Sequence, residues 1–196
     1  MSDNVGGRPA ATATIRRCGD DDLGAICAIV NEAATAYAGV IPADRYRRPY
    51  MPLEELRAEI AAGVRFWGWY ESSAEDAAAA SGPAAARLVG VMGIQDVGDV
   101  TLIRHAYVDP ACQRRGVGAR LLEHLVGMAT RPLLVGTWAD AWWAVAFYQR
   151  HGFRLVAPEE KDRLLRRYWD IPARQVETSV VLREAAYVRR TSPASS

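Results

Sequence analysis

The sequence predicts a mixed α/β fold in which helices cover a central sheet. Two observations support this prediction. Short apolar and aromatic segments typical of strands recur along the chain, and segments with one apolar helical face lie between them. The chain has 196 residues, which is long enough for a single domain with a full hydrophobic core.

The individual elements are predicted from apolar spacing and from capping and turn residues. An aspartate caps the first helix, and Ile26 and Ile29 lie on its apolar face. Three prolines indicate an ordered loop after it, and Gly152 is suited to end a later helix. We predict strands at residues 13–18, 64–71, 87–97, 100–108, 133–138, 153–156 and 176–182, and helices at 20–37, 53–63, 117–129, 140–152 and 159–169.

Three stretches lie outside or between these elements. Residues 1–12 and 184–196 are small and polar, so we expect disordered tails on either side of one domain at 13–183. The alanine-rich stretch 72–86 has low complexity and no apolar alternation. We therefore expect it to be a flexible loop that joins two strands of a hairpin.

Charge and cysteine content argue against several classes of protein. The formal net charge is +1, so the chain as a whole is not attracted to nucleic acid or to a membrane surface. Cys18, Cys27 and Cys112 form no CxxC pair and have no histidine at ligand spacing, which argues against disulfides and zinc. No signal peptide or membrane-spanning run is evident. We expect a cytoplasmic protein that binds no metal, nucleic acid or membrane.

The segment QRRGVG, residues 113–118, precedes a predicted helix and follows a predicted strand. A helix N-terminus offers free backbone N–H groups and a partial positive charge, so it can bind an anion. Gly116 and Gly118 let a phosphate approach those groups, and Arg114 and Arg115 add positive charge. The spacing is neither that of a P-loop nor that of a dinucleotide-binding fold. The alternative is an arginine-rich loop whose glycines serve only the turn.

The segment VDPACQRRGVGARLLEHL resembles the signature of the GNAT superfamily of acetyl-CoA-dependent N-acetyltransferases, Q/R-x-x-G-x-G/A. Gln113, Gly116 and Gly118 fill its defining positions. Downstream, AVAFYQRHGF is similar to a second family segment, AxxFYxxxGF. The resemblance spans about residues 13–183 and implies a mostly antiparallel sheet with a splayed strand pair and helices on both faces.

The resemblance also implies where the acetyl donor, acetyl-CoA, binds. The strand before the signature splays from its neighbour in this family, so its free backbone groups can pair with the pantetheine arm. The signature turn then holds the pyrophosphate. The implied cofactor-binding residues are Ala106, Tyr107, Val108, Gln113, Arg114, Arg115, Gly116, Val117 and Gly118.

One catalytic residue is predicted on the same basis. Tyr148 lies where the family often has a general acid that protonates the departing thiolate, and its alternative role is core packing beside Phe147. One departure from the family is Ala141, which replaces an asparagine that contacts the cofactor in many members. The adjacent Asp140 is a candidate helix cap.

The base that deprotonates the amine has four candidates: Glu32, Glu71, Asp96 and His105. His105 lies on the splayed strand, and we predict it as catalytic. Strand alternation would point its side chain to the face opposite residues 104 and 106, so a structural histidine is the alternative.

Two arginine- and tyrosine-rich segments are candidates for binding the acceptor. We predict Arg45, Tyr46 and Arg48, in the loop after the first helix, as residues that bind an acceptor with a carboxylate or phosphate. The second segment, at 159–175, has arginines that can instead pair with its own acidic residues on a solvated helix.

The predicted function is transfer of an acetyl group from acetyl-CoA to the primary amine of a small molecule. The alternatives are acetylation of a protein or peptide, and a non-catalytic acyl-CoA-binding sensor on the same fold. Six tryptophans would also suit a homodimer interface, although they can equally lie in the core.

Overall fold

The computed structural model describes residues 12–72 and 86–185 of the chain. The predicted tails and the 72–86 loop therefore lie almost wholly outside the described residues. The strands are β1 (Thr12–Arg17), β2 (Arg65–Ser72), β3 (Arg87–Val97), β4 (Val100–Val108), β5 (Leu133–Trp138), β6 (Phe153–Leu155) and β7 (Ser179–Glu184). The helices are α1 (Leu23–Ala33), α2 (Leu53–Ala61), α3 (Val117–Met128), α4 (Trp142–Arg150), α5 (Pro158–Tyr168) and α6 (Ala173–Thr178).

The strands form one sheet in the order β1-β2-β3-β4-β5-β7-β6. All neighbouring pairs are antiparallel except β4 and β5, which are parallel. A mixed, mostly antiparallel sheet flanked by helices is the predicted fold class, and the structure confirms it.

Successive residues of the central strands enter different core clusters, because side chains alternate across a sheet. On one face, Met92 and Ile103 pack with residues of α3 and with Tyr148 of α4. On the other face, Val91 packs with α1 and α2, and Leu102 packs with α5 and α6. Helices therefore cover both faces, and the two layers are held by separate apolar clusters.

Strands β4 and β5 separate partway along their length. Their pairing covers only Thr101–Ile103 against Leu133–Val135, whereas β4 continues to Val108. Beyond Ile103, the edge of β4 that faces β5 has no strand partner among the described residues. This is the splayed pair that the family resemblance implied.

A β-bulge interrupts the pairing of β3 with β4 beside this separation. The register shifts between Val91 and Gly93, and His105 takes a left-handed conformation with φ 49°. A bulge inserts an extra residue in one strand and changes which face the following side chains point to.

The structure corrects one predicted element. Residues 176–178 were predicted to begin the last strand, but they belong to α6, which follows Pro172 at its N-terminus. Strand β7 begins at Ser179. The predicted first helix also differs, because it consists of α1 with a 3₁₀ turn at each end, at Asp20–Asp22 and Ala34–Tyr37.

No helix in the described part of the chain is both long and apolar enough to cross a membrane.

Candidate active site

A cleft of about 700 Å³ opens where β4 and β5 separate. Both strands contribute to it, β4 from Ile103 to Val108 and β5 from Val135 to Trp138. The start of α3, one side of α4, the segment that links α5 to α6, the end of α1 and the loop before α2 also contribute to the lining. The cleft is thus reached from both faces of the sheet, since α3 and α4 lie on one face and α5 on the other.

The signature turn forms the wall of the cleft at the N-terminus of α3. Gly116 caps this helix with φ 84°, a left-handed conformation that glycine adopts at little cost. Arg114 also has a positive φ, of 60°. Gly118 lies in the first turn of the helix, and a Cβ added there would be 3.6 Å from the Phe147 ring. The glycines therefore have separate roles: Gly116 permits the left-handed turn, and Gly118 lines the cleft.

Eight of the nine predicted cofactor-binding residues line the cleft, and Arg115 does not. Its guanidinium instead pairs with both carboxylate oxygens of Glu71, at 2.9 and 3.0 Å. Arg114 and Arg150, in contrast, line the cleft and form no ion pair with any described residue. Arg150 was not predicted from sequence, since its position at the end of α4 becomes relevant only once α4 lies beside α3.

Tyr148 lines the cleft from α4 and is 4% exposed. Its ring packs edge-on against Phe147 and Phe153, with centroids 5.1 and 5.7 Å away. Burial raises the pKa of its phenol above the ordinary value of 10, because the charged form is disfavoured away from water. The hydroxyl is therefore protonated at neutral pH, and Tyr148 both packs in the core and lines the cleft; its role as a general acid stays a prediction.

His105 also lines the cleft, on the same face as α2. Its ring stacks on Phe66, with centroids 5.7 Å apart, and its Nε2 lies 3.4 Å from a carboxylate oxygen of Glu59. Arg104 binds the same carboxylate through two contacts of 2.7 and 2.8 Å. Arg104 and His105 therefore share a face, and the alternation expected from sequence is wrong here because of the bulge.

Glu59 is a functional neighbour that sequence analysis missed. Burial alone would raise the pKa of its carboxyl, but His105 and the Arg104 guanidinium outweigh this effect and hold the pKa below its usual 4.5. The carboxylate is therefore charged at neutral pH and can orient the imidazole. No local signal marks Glu59, since α2 is far from β4 in sequence.

The other base candidates lie outside the cleft. Glu71 is held by Arg115, and Asp96 accepts bonds from Arg65 and Thr101. Glu32 is exposed on α1. In fact no aspartate or glutamate of the described residues lines the cleft.

The predicted acceptor residues Arg45, Tyr46 and Arg48 do not line the cleft, whereas Tyr50 of the same loop does. Arg45 pairs with Asp44 at 2.9 Å, and Arg47 pairs with Glu55. Arg48 forms no ion pair with a described residue; its guanidinium lies 6.0 Å from the centre of the Tyr46 ring. The role of Arg45, Tyr46 and Arg48 stays a prediction. In the second segment, Arg166 lies 3.9 Å from Asp162, so it is at least partly paired, as the solvated-helix alternative expects.

Ala141, at the family's asparagine position, is fully buried and directly precedes α4. Asp140 forms no capping hydrogen bond to that helix.

One group of lining residues was not predicted as a group, because its members are distant along the chain, although Tyr107 itself was predicted as a cofactor-binding residue. These residues all present aromatic rings to the cleft, and we call them the aromatic wall: Tyr37, Tyr50, Tyr107, Trp143 and Trp169.

Comparison with known proteins agrees with this geometry. Residues 66–155 match the family described as acetyltransferase (GNAT) domain, a range that includes the splayed strand, the signature turn and Tyr148. No curated protein matches the chain.

Several solved structures share the fold at low sequence identity. The PaiA N-acetyltransferase of Thermoplasma acidophilum, in complex with coenzyme A, is 16% identical with a TM-score of 0.60, covering 88% of this chain and 98% of that one. A GNAT-family acetyltransferase of Staphylococcus aureus is 13% identical with a TM-score of 0.62, covering 88% and 99%. The ribosomal-protein-S18-alanine N-acetyltransferase of Escherichia coli is 16% identical with a TM-score of 0.50, covering 92% and 99%. Residues 66–155 thus match the GNAT acetyltransferase domain, and the chain shares the fold of solved GNAT-family structures.

Proposed function

We propose that the chain transfers the acetyl group of acetyl-CoA to the primary amine of a small molecule. The observation that carries this proposal is the cleft at the splayed strands, which joins a free strand edge and a helix N-terminus to a buried, protonated Tyr148. It also extends to the opposite face of the sheet, where an acceptor can enter.

The donor side of the cleft suits coenzyme A. The free edge of β4 at Ala106, Tyr107 and Val108 offers backbone hydrogen-bonding groups to the amides of the pantetheine arm. Beside it, the N-terminus of α3 offers positive charge to phosphates, as do Arg114 and Arg150, which form no ion pair within residues 12–72 and 86–185.

His105 and Tyr148 divide the proton transfers. His105, oriented by Glu59, accepts a proton from the acceptor's ammonium group, directly or through water. The neutral amine then attacks the thioester carbonyl carbon, a C–N bond forms, and the C–S bond breaks as the electron pair returns to sulfur. Tyr148 donates its proton to that thiolate and regains one from solvent, while the second proton lost by the nitrogen and the proton held by His105 pass to solvent.

The acceptor side favours a small molecule over a protein. Side chains of the aromatic wall come from the end of α1, the loop before α2, β4, α4 and the segment after α5, so they surround this end of the cleft. A pocket closed by side chains on several sides suits a compact ligand.

The test is release of free thiol from acetyl-CoA with a panel of small amines and of peptides with free N-termini or lysines. Small amines that release thiol and gain one acetyl group by mass spectrometry support the proposal. Turnover with peptides alone would identify a protein acetyltransferase. Binding of acetyl-CoA without release of thiol by any acceptor would identify a sensor.

A further inference from the structure

We propose that the acceptor is an amine that carries an aromatic ring, and that the aromatic wall binds this ring. The inference rests on the proposed function, because it assumes that the end of the cleft beside β5 and α5 receives the acceptor. It goes further in naming the chemical class of the acceptor and the residues that select it.

Four rings of the aromatic wall pack against one another and together line one end of the cleft. Tyr37 and Trp143 are nearly parallel, with an interplanar angle of 28° and centroids 5.9 Å apart. Tyr107 meets Tyr37 edge-on, at 84° and 6.4 Å. Tyr50 lies 5.7 Å from Tyr37. Stacked and edge-on contacts at these distances are the arrangements that aromatic rings prefer.

Trp169 closes the opposite side of this end of the cleft. It follows α5, and its indole lies directly over Gly136 of β5, so that a Cβ at Gly136 would be 3.4 Å from the ring. The missing side chain therefore lets an indole lie close against the backbone where β5 has separated from β4. A planar surface on this side faces the same cleft as the tyrosines.

The charges of the cleft exclude acceptors with several ammonium groups. The lining includes Arg104, Arg114 and Arg150, and no carboxylate from the described residues. A polyamine needs anionic partners for each ammonium group that leaves water, and this cleft has none. A single ammonium group can instead contact aromatic ring faces, which attract cations.

The tyrosine hydroxyls supply neutral polar partners for that one amine. Trp138 donates an indole N–H to the hydroxyl of Tyr50, at 3.3 Å. A hydroxyl oxygen can accept a hydrogen bond from an amine N–H whether the amine is charged or neutral. The site therefore tolerates the acceptor before and after it loses its proton, which a fixed carboxylate would not.

The experiment compares phenethylamine with spermidine in the full chain, with two independent readouts. Thiol release from acetyl-CoA gives kcat/KM for each amine, and quenching of tryptophan fluorescence reports binding at the wall without turnover. We expect phenethylamine to exceed spermidine in kcat/KM by about tenfold or more, since discrimination by an apolar pocket falls in that range.

Neighbouring tryptophans on α4 provide a matched pair of variants. Trp143 belongs to the wall, whereas Trp142 is 73% exposed and lies outside the cleft lining. Trp143→Ala should raise KM for phenethylamine about tenfold and leave KM for acetyl-CoA unchanged, and Trp142→Ala should change neither. Trp169→Leu, from a different part of the chain, should repeat the effect if Trp143→Ala does not fold.

The outcomes separate this inference from the proposed function. Better turnover of spermidine, or unchanged phenethylamine kinetics in both wall variants, would overturn the inference while acetyl transfer itself stands. Quenching by phenethylamine without any thiol release would support the aromatic site and overturn the proposed activity.

Discussion

Tyr148 packs in the core and is also the proposed general acid, two roles that different residues usually fill. Its ring belongs to the core between α4 and β6, and the residue also lines the cleft. The burial that packs the ring also raises the pKa of the phenol, so the hydroxyl stays protonated at neutral pH. Packing in the core is therefore compatible with the proposed role of Tyr148 as a general acid.

Tyr148→Phe keeps the ring and removes the proton. We expect turnover to fall on the order of 100-fold, with the Kd for acetyl-CoA nearly unchanged, because a general acid acts in the transition state. Steady-state kinetics and calorimetry measure the two quantities. Tyr168→Phe is the control, since that hydroxyl binds Asp99 outside the cleft. Unchanged turnover in the Tyr148 variant would leave packing as its only role.

His105 is held in a backbone conformation that is uncommon for a residue with a side chain. Such positions cluster at functional sites, and here the bulge turns the imidazole toward Glu59 and the cleft.

His105→Gln should lower kcat/KM for the amine about 100-fold at neutral pH. The deficit should shrink as the pH approaches the pKa of the amine, because solution then supplies the neutral nucleophile and the base is no longer needed. A pH series of kcat/KM with one amine tests this. A deficit that is constant with pH would indicate a structural histidine.

At the scale of elements, the two glycines at the N-terminus of α3 have different structural roles. Gly116 needs a left-handed backbone, whereas Gly118 is helical and lies where the cofactor would pass. Alanine at 118 meets only an ordinary contact with Phe147, so the helix itself accepts it.

We expect Gly118→Ala to weaken acetyl-CoA binding without loss of stability, because alanine favours helix by about 1 kcal/mol over glycine while its methyl group narrows the approach to the amides. Gly116→Ala should instead lower the free energy of unfolding by roughly 1–2 kcal/mol. Gly24→Ala on α1, where a Cβ meets nothing within 4 Å, controls for helix propensity. Unchanged affinity of Gly118→Ala for acetyl-CoA, measured by calorimetry, would contradict the prediction that the signature turn binds the pyrophosphate.

The loop before α2 is the element that would bind an anionic group on the acceptor. Arg48 is the arginine of this loop that lacks an ion pair with a described residue. Its neighbour Tyr46 has its ring centroid 6.4 Å from that of Tyr50, which belongs to the aromatic wall. Arg48→Gln should therefore raise KM for phenylalanine and leave KM for phenethylamine unchanged, since these amines differ by one carboxylate. Arg45→Gln, whose guanidinium already pairs with Asp44, is the control. Equal KM changes for the two amines would exclude a carboxylate contact.

At the scale of the whole molecule, the sequence predicted what local patterns encode. The bounds of β3, β4 and β5 were predicted correctly, because apolar runs between turn residues mark buried strands. The signature turn was recognised because its residues are contiguous.

Features that depend on contacts distant in sequence were not predicted. The bulge at His105 arises from pairing with β3, the Glu59 contact from packing of α2, and the aromatic wall from five separate segments. The short helix α6 was missed because its six residues carry too little periodicity to distinguish it from a strand.

The pair Arg104–Glu59 joins α2 to the sheet, and it should make stability depend on pH. Both side chains are about one-fifth exposed, so solvent screens the pair only in part. Because the folded pKa of Glu59 lies below its unfolded value, the pair's stabilisation is fully present above about pH 4.5 and is lost as the pH falls through the folded pKa.

Glu59→Gln should therefore lower the free energy of unfolding at pH 7 on the order of 1–3 kcal/mol, and the difference from the wild type should shrink below about pH 4.5. Urea denaturation across this range measures both. Other carboxylates titrate in both proteins, so their effects cancel in the difference. Glu54→Gln, exposed on the same helix, should show no comparable loss. A difference that stays constant down to low pH would mean that the charge of Glu59 does not hold α2 to β4.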